Sequence, residues 1–347
     1  MKRLSGKRKA LLFIPLAILL TIVLPVAIAG CSSGDEDKTS GAPDGESGLV
    51  TIRLTDPTVY SEYVIADELG YFKEEGIQLE YVGKLDKGVT QYQLIEQGEV
   101  DFFTGHPPTT AQARLAGIKA IAVAPGMIDD PKYPHVQYLV PKDSPLQSLD
   151  EAIGHKVAVS SVSPCTDGYV RYYLKSKGFN PDDAEYVIIN QDLQEQSASQ
   201  GLVDITSSHP PYGGKALASG DFRELTNTWE IFNSPGAGLS VRGFSDEFIE
   251  KHPDTVQGFV NAMYRARIWA NNNVEEAKKI NAKYLGLDPE DVSIFIFDEN
   301  KNIDPEYIQL WFDIAEDIDL WEPGDILPKD VYTNEFVPKD IPASDSK

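Results

Sequence analysis

The sequence predicts a two-lobed α/β fold with a central ligand cleft between the lobes. The main observation is a motif that occurs twice, as His106-Pro107-Pro108 and as His209-Pro210-Pro211. An Asp precedes and a Gly follows each copy at matching positions, and all three pairs are 103 residues apart. Each copy predicts a short buried strand, a His, and a helix that begins with prolines and ends at Gly. Two such units predict two similar lobes, each directing a helix N-terminus at a shared cleft.

The first thirty residues are predicted to be a secretion signal rather than part of the fold. Basic residues precede an apolar run over 10–29, which ends at Ile28-Ala29-Gly30-Cys31. This order is typical of a secretory signal. Cys31 after Ala-Gly resembles a bacterial lipobox, which predicts lipid on Cys31 and a secreted protein anchored to the outer face of the cytoplasmic membrane. An uncleaved transmembrane anchor is the alternative, because the run is long enough to span a bilayer.

The remaining 317 residues are strongly acidic. They carry 26 Lys and Arg against 54 Asp and Glu, a formal charge of −28. This charge disfavours nucleic acid and anionic lipid headgroups as partners. Cys165 is the only cysteine besides Cys31, so no disulfide is expected within the fold and its stability must come from packing. The length fits about two domains.

Residues 31–48 predict a flexible tether, and the fold is expected to begin at residue 49. Over 49–140 the hydrophobic pattern alternates between strands and helices. Strands are predicted at 50–54, 78–82, 100–104, 118–124 and 137–140, and helices at 62–69, at 90–97 and after His106. The alternation up to residue 124 predicts a mainly parallel sheet, and residues 49–140 are predicted to form the first part of lobe one.

Residues 141–235 repeat the order and predict lobe two. Strands are expected at 156–160, 186–190 and 203–207, and helices at 167–177, at 191–200 and after His209. A strand is predicted near 238–241, followed by helices at 246–251, 253–273, 274–285 and 305–317. Residues 236–340 are expected to pack back on lobe one as its second part, so that two crossings, near 140–142 and 235–238, join the lobes.

Several segments resemble one known family. Residues 68–77 read Glu-Leu-Gly-Tyr-Phe-Lys-Glu-Glu-Gly-Ile and resemble its Gly-Tyr-Phe-Lys-Glu-Glu-Gly run, and 98–102 resemble its strand with an Asp. Residues 142–159 resemble the start of its second lobe, and 248–277 resemble its long helix. In this order they resemble the solute-binding lipoproteins of ABC importers, in the nitrate, sulfonate, taurine and thiamine-precursor group. The resemblance implies a type II periplasmic-binding fold with a hinge that closes on solute.

The resemblance also implies the function. It implies a receptor that captures a small organic solute or an anion, such as a sulfonate or nitrate, and delivers it to an ABC permease with its ATPase. A heterocycle such as a thiamine pyrimidine precursor or riboflavin is the alternative solute. A sensor subunit and an enzyme similar to a pyrimidine synthase are the alternative classes. The chain departs from the family at 208–212, Ser-His-Pro-Pro-Tyr, where many relatives carry an aromatic-Asp-Pro-Tyr run. A monomer without a cofactor or catalytic residue is expected.

The ligand is expected at the carboxyl ends of the strands, where five loops meet the cleft. The helices after these loops direct free N–H groups toward the cleft, which suits an anion. The first four loops contain no Lys or Arg, and their aromatic and imidazole groups suit a heterocycle equally well. The candidate ligand-binding residues are Asp56, Tyr60, Ser61, Gly105, His106, Thr109, Ser161, Ser163, Cys165, Thr166, His209, Tyr212 and Ser234.

Three of these residues have alternative interpretations. His106 and His209 could instead cap their helices. A metal between them is conceivable, but no carboxylate or His spacing supports it, and no metal site is predicted. Cys165 lies at a predicted helix start, which is expected to lower its pKa. Ligand contact and packing are equally good interpretations of Cys165, and catalysis is the weaker one.

Overall fold

The computed structural model describes residues 48–85, 89–161 and 163–340. The predicted secretion signal, Cys31 and all but the last residue of the predicted tether lie outside these residues. Among the described residues, no helix combines the length and the apolar composition that a membrane span requires.

The first part of the fold alternates strands and helices, as the sequence predicts. In chain order it forms β1 (Val50–Leu54), α1 (Glu62–Glu68), α2 (Tyr71–Glu74), β2 (Ile77–Tyr81), α3 (Gln91–Glu96), β3 (Phe102–Gly105), α4 (Pro107–Leu115), β4 (Ala120–Pro125) and β5 (Met127–Ile128). Thr90 and Gln93 form a capping box that begins α3. Gly117 follows α4 with a φ of 92°, a conformation that favours glycine and ends the helix.

The middle part repeats this alternation. It forms β6 (Gln137–Pro141), β7 (Lys156–Val159), α5 (Tyr169–Ser176), β8 (Glu185–Ile188), α6 (Gln191–Ser199), β9 (Ile205–Ser208), α7 (Tyr212–Ser219), β10 (Phe222–Asn227) and α8 (Thr228–Phe232). β10 has no clear hydrophobic pattern in the sequence and was not predicted, since only its first and last residues are buried. A π-helical turn, Pro164–Gly168, precedes α5.

The last part is mostly helical. It forms β11 (Val241–Ser245), α9 (Asp246–Lys251), α10 (Pro253–Asn272), α11 (Val274–Leu285), β12 (Ile296–Phe297) and α12 (Pro305–Asp317). The strand predicted near 238–241 begins only at Val241, because Pro235–Gly238 forms a 3₁₀ turn. Phe259 of α10 packs its ring against Phe72 of α2 and Phe102 of β3, each at a centroid distance of 5.1 Å. The long helix therefore packs on the first part of the chain.

The strands form two main sheets, one with antiparallel pairs only and one mixed. One has the order β3-β11-β4, and β11 is antiparallel to both neighbours. The other has the order β10-β6-β9-β7-β8, in which β7 is parallel to β8 and β9, whereas β6 is antiparallel to β9 and β10. β6 and β11 run antiparallel to their neighbours, because each enters its sheet from a chain crossing and not from a helical crossover. Two smaller pairs are β1 with β2, and β5 with β12.

The chain crosses between the main sheets earlier than 140–142, because β6 already pairs with β9 and β10. It returns between α8 and β11. A hydrogen bond joins the two crossing segments, since the Asp129 backbone N–H donates to the Pro235 carbonyl at 2.8 Å. The division into lobes remains a prediction, and the pairing of β6 moves its first boundary toward residue 136.

Candidate functional site

His106, His135 and His209 meet between the ends of the two main sheets. His106 follows β3 of one sheet, and His209 follows β9 of the other. The ring centroid of His135 lies 4.9 Å from that of His106 and 5.0 Å from that of His209, edge to face in both pairs. We call these three residues the histidine cluster.

The antiparallel strands explain why these side chains meet. Because β6 runs against β9, Gln137 at its start pairs with Ser208 at the end of β9. His135, two residues before Gln137, therefore lies beside His209. In the same way β11 runs against β3, so the segment before β11 reaches His106, whose Nδ1 lies 2.8 Å from the Leu239 carbonyl oxygen.

Aromatic rings surround the cluster. The indole of Trp311 in α12 stacks on the His106 ring at 4.5 Å with an interplanar angle of 21°. Tyr169 at the start of α5 and Phe295 lie 6.4 Å and 6.2 Å from the His135 ring. Trp311 is only 1% exposed and Tyr169 is fully buried. The cluster is therefore enclosed by apolar ring faces.

The 3₁₀ turn Pro235–Gly238 holds these aromatic residues in place. Trp311 Nε1 donates to the Gly236 carbonyl at 2.8 Å, and the Tyr169 hydroxyl donates to the Ala237 carbonyl. Ser234 caps this turn, because its Oγ accepts from the Gly236 N–H at 3.2 Å, and its role in ligand binding stays a prediction. A Cβ atom at Gly238 would lie 2.3 Å from the backbone nitrogen of Asp129, so only glycine fits there.

The hydrogen bonds assign the protons of two of the histidines. His106 Nδ1 faces a carbonyl oxygen, which can only accept, so Nδ1 carries the proton and Nε2 keeps a lone pair. His209 shows the opposite arrangement. Gln191 Nε2 donates to the ring nitrogen Nδ1 of His209 at 3.0 Å, while Gln191 Oε1 accepts from the backbone N–H of His209 at 3.1 Å. In its neutral form His209 therefore carries its proton on Nε2.

His135 is the least satisfied member of the cluster. It is 2% exposed, and neither of its ring nitrogens has a hydrogen-bond partner among the described residues. The same holds for Oδ2 of Asp129 and for the hydroxyl of Tyr138, both buried. Buried polar atoms without partners cost about 1–3 kcal/mol each. Such a group of unpartnered atoms is a binding feature, because a ligand can satisfy them.

The cluster is uncharged near neutral pH. Burial lowers the pKa of His106 to about 4 and that of His209 to about 3. Burial, with the neighbouring His106 and His209, lowers the pKa of His135 well below its ordinary value. Burial also raises the pKa of Asp129 to about 7. The site therefore offers neutral imidazoles rather than positive charge.

Arg242 does not supply the missing charge. Its Nη2 forms an ion pair with Glu62 Oε2 at 2.8 Å, and both side chains are buried. Its Nη1 donates to Thr104 Oγ1 at 2.6 Å and to Ser240 Oγ at 2.9 Å. The guanidinium is therefore already bonded to residues of α1 and β3 and to the residue before β11. Its charge still contributes to the low pKa of His106.

Cys165 lies in the π-helical turn, next to the cluster. Ser163 Oγ lies 3.6 Å from Cys165 Sγ and 3.1 Å from Thr166 Oγ1, and Thr166 Oγ1 donates to the Ser161 carbonyl at 2.6 Å. The hydrogen bonds of these hydroxyl groups therefore lie within the turn and stabilise it. Ser161 is exposed. The expected lowering of the Cys165 pKa is wrong, because burial of the thiol outweighs the helix start and raises the pKa.

The capping interpretation of the two histidines is also wrong. His106 occupies the N-cap position of α4, but its side chain makes no capping hydrogen bond. His209 precedes α7 by three residues, and Pro211 is the N-cap there. Thr109 Oγ1 donates to the His106 carbonyl at 2.7 Å. Gly105 leaves room for this contact, since a Cβ atom would lie 2.7 Å from Thr109 Oγ1.

Four predicted residues form no hydrogen bond or ring contact with the cluster in the described part of the chain. Tyr60 is buried against Phe297, with ring centroids 5.3 Å apart. The Ser61 backbone N–H donates to Asn281 Oδ1 at 2.8 Å and its hydroxyl to a neighbouring carbonyl. Asp56 is half-buried, and Tyr212 at the start of α7 is 37% exposed. Their roles in ligand binding stay predictions.

Replacement of His209 by glutamine is expected to reduce the loss of stability on acidification. The unfolded side chain has a pKa of about 6.5, and burial lowers the folded pKa to about 3. Below pH 6.5 the unfolded state binds the proton first, so stability falls as pH drops and levels off near pH 3. Between pH 7 and pH 5 this group alone lowers the free energy of unfolding by about 2 kcal/mol. Urea unfolding with a chelator present measures the difference, and an equal loss in both proteins would contradict it.

The fold and site define an α/β protein with two main sheets and, between them, a histidine cluster in which His135 is buried and His106 and His209 are half-buried. A family model described as NMT1/THI5 like matches residues 58–277, more than half of the chain. The chain therefore belongs to the NMT1/THI5-like family. The matched residues include the whole histidine cluster and Cys165, whereas Trp311 lies beyond them.

The chain is similar to an Escherichia coli (strain K12) protein named for binding aliphatic sulfonates, with 26% identity over 202 residues. The match covers 58% of this chain and 60% of that relative, so it spans less than two thirds of the relative's length. The crystal structure of the periplasmic aliphatic sulphonate binding protein SsuA from Escherichia coli superposes with a TM-score of 0.64 at 19% identity. That alignment covers 84% of this chain and 94% of the other.

Two further structures have the same fold. The periplasmic nitrate-binding protein NrtA from Synechocystis PCC 6803 gives a TM-score of 0.65 at 14% identity, covering 83% of this chain and 87% of the other. The desulfurization enzyme DSZB gives 0.61 at 17% identity, covering 82% and 97%. The predicted periplasmic-binding fold class and the family resemblance are confirmed. The structure of DSZB adds that this fold also occurs in an enzyme.

Proposed function

We propose that the chain is an extracytoplasmic solute-binding protein of an ABC importer, which captures a small solute at the histidine cluster and delivers it to a permease with its ATPase. The observation that carries the proposal is that His106 and His209, which follow strands of different sheets, both contact His135. A ligand held there is bound by both sheets at once. The relatives named for sulfonate and nitrate binding support this role.

The first candidate solute is an organic sulfonate. The Escherichia coli relative is named for that class, and the His209 Nε2–H can donate to a sulfonate oxygen. The aromatic faces of Trp311 and Tyr169 suit the organic part of such a solute. A nitrogen heterocycle is the second candidate, because uncharged imidazoles can stack on it and exchange hydrogen bonds with it. Nitrate fits less well, because it has no organic part to pack against these aromatic faces.

Solute binding at this site requires the sheets to separate. Ring centroids 4.5–5.0 Å apart leave no space for an organic molecule between the rings. We propose two lobes, with the first boundary near residue 136, that open about the two crossing segments. The hydrogen bond from the Asp129 backbone N–H to the Pro235 carbonyl joins those segments, and we place the hinge there.

We further propose that lipid on Cys31 anchors the chain to the outer face of the cytoplasmic membrane and that the chain acts as a monomer. The basic and apolar leader before Cys31 supports the anchor. The relatives described as periplasmic support a position outside the cytoplasm. Binding without turnover is proposed as well, and it needs a direct test because DSZB is an enzyme with this fold.

A thermal-shift screen of the full chain tests this function, with alkanesulfonates, taurine, nitrate, pyrimidines and riboflavin as probes. A ligand at 100 times its Kd is expected to stabilise the protein by about 2.7 kcal/mol. His106→Ala and His209→Ala are each expected to weaken binding of the solute by about tenfold, the equivalent of one hydrogen bond.

His155→Ala is the matched control, because His155 bonds the Glu151 carbonyl and is remote from the cluster in all described contacts. Unchanged affinity in both cluster variants would contradict the site. Conversion of a bound probe into a product would contradict the receptor class.

A further inference from the structure

Three potential metal ligands converge at the histidine cluster. One donor atom each from His106, His135 and Cys165 lies within 4.8 Å of the other two. The three residues come from the end of β3, the crossing before β6 and the π-helical turn before α5. No short sequence motif joins them, which is why the spacing of the sequence gave no sign of a metal site.

The protonation pattern fits metal binding. The His106 Nδ1–H donates to the Leu239 carbonyl, which leaves Nε2 with a free lone pair. A ring nitrogen bonded to a backbone carbonyl is the usual arrangement of a metal-binding histidine, because it fixes both tautomer and orientation. His209 does not fit, since its Nδ1 already accepts from Gln191 and its Nε2 carries the proton.

The unpartnered ring of His135 is the second, independent observation. It is 2% exposed and aimed at both other rings, and both its nitrogens lack a partner within the described part of the chain. Packing alone explains why the ring is buried, but it leaves two polar atoms unsatisfied at a cost of about 1–3 kcal/mol each. A ligand that is small enough to fit between these neighbouring rings provides a partner for at least one of the two ring nitrogens of His135.

We propose that His106 Nε2, one ring nitrogen of His135 and Cys165 Sγ bind a single transition-metal ion, with Zn²⁺ as the best-matched ion. Two imidazoles and one thiolate form a donor set that favours Zn²⁺ and excludes Mg²⁺ and Ca²⁺, which prefer oxygen ligands. Binding releases the Cys165 thiol proton to solvent. This site goes beyond solute capture, because it requires no solute.

The geometry requires only a small contraction. Tetrahedral zinc with bonds of about 2.0–2.3 Å brings neighbouring donors to roughly 3.3–3.7 Å from one another. The present donor separations, all within 4.8 Å, therefore have to close by at most about 1–1.5 Å, which rotation of side chains can supply. Three protein ligands leave the fourth position for water or for a donor atom of a solute.

Metal titration of the full chain tests this proposal, in a Cys31→Ala background so that Cys165 is its only thiol. Zn²⁺ is added to chelator-treated protein in excess Mg²⁺, which occupies surface carboxylates, and calorimetry measures stoichiometry and Kd. Co²⁺ replaces Zn²⁺ in a parallel absorption experiment. The expected result is one ion per chain and a sulfur-to-cobalt charge-transfer band. Cys165→Ser, His106→Ala and His135→Ala should each weaken binding by at least about 100-fold.

His155→Ala is the control and should bind zinc like the parent chain. Cys165→Ser changes one atom, and circular dichroism shows whether each variant is folded. The charge-transfer band of the parent chain decides the identity of the sulfur ligand without any variant. Absence of that band, or equal Zn²⁺ affinity in the parent, Cys165→Ser and His106→Ala chains, would overturn the proposal. Solute binding by a chain that fails this test would leave the receptor function intact.

Discussion

Glu62→Gln is expected to lower the free energy of unfolding by about 3–5 kcal/mol. Glu62 is fully buried, and its Oε2 lies 2.8 Å from Arg242 Nη2. Removing one charge of a buried ion pair leaves the other without compensation in a medium of low polarity, which costs far more than the lost attraction alone. The neutral amide can still accept one hydrogen bond, but it cannot balance the guanidinium charge.

Urea unfolding of the full chain measures this change, and Glu247→Gln is the matched control. Glu247 pairs with Lys251 four residues later, on the exposed surface of α9. Such pairs contribute less than about 1 kcal/mol, so the control is expected to unfold like the parent chain. A loss below about 1 kcal/mol for Glu62→Gln would mean that water screens the Arg242 pair as well.

This pair also illustrates what the sequence does not reveal. Glu62 begins α1 and was predicted only as a helix start, a position where an exposed Glu is common. Its partner lies 180 residues later, in a strand whose antiparallel direction was not predicted. The pair is buried because β11 lies between β3 and β4, and no local sequence pattern predicts that position.

The fold class was predictable because its signals are local. Apolar periodicity identifies most strands and helices, and glycines such as Gly117 and Gly220 mark the ends of helices through their positive φ. His106, His209 and Cys165 were predicted for the site because each follows a strand at its carboxyl end, where α/β folds bind ligands. This rule needs only the position of each strand in the sequence. It does not need the order or direction of the strands in the sheet.

The same rule missed His135, because His135 precedes its strand. In a parallel sheet that position lies at the edge opposite the ligand. Since β6 runs antiparallel to β9, its start lies at the same edge as the end of β9. The sequence of the short strand β6, which follows His135, also does not indicate whether it runs parallel or antiparallel to its neighbours. A search for titratable residues just before strands that follow a chain crossing would have found it.

Trp311→Ala is expected to destabilise the protein by about 3–5 kcal/mol and to weaken ligand binding at the histidine cluster. Trp311 is the largest fully buried side chain among the described residues, stacks on His106 at 4.5 Å and donates to the Gly236 carbonyl. Truncation leaves a cavity beside the His106 ring and removes one of two hydrogen bonds to the Gly236 carbonyl, which still accepts from the Leu239 N–H. The ring then gains freedom that ligand binding has to remove.

Two further variants separate stability from binding. Trp311→Phe keeps an aromatic face on His106 and loses the Nε1–H donor, so a smaller loss of about 1–2 kcal/mol is expected. Trp321→Ala removes another buried indole, which contacts Phe312 at 5.1 Å and makes no described contact with the cluster. It should destabilise the protein without changing Zn²⁺ or solute affinity well below its Tm. Equal loss of affinity in the Trp311→Ala and Trp321→Ala chains would show that Trp311 acts through general stability and not through its contact with His106.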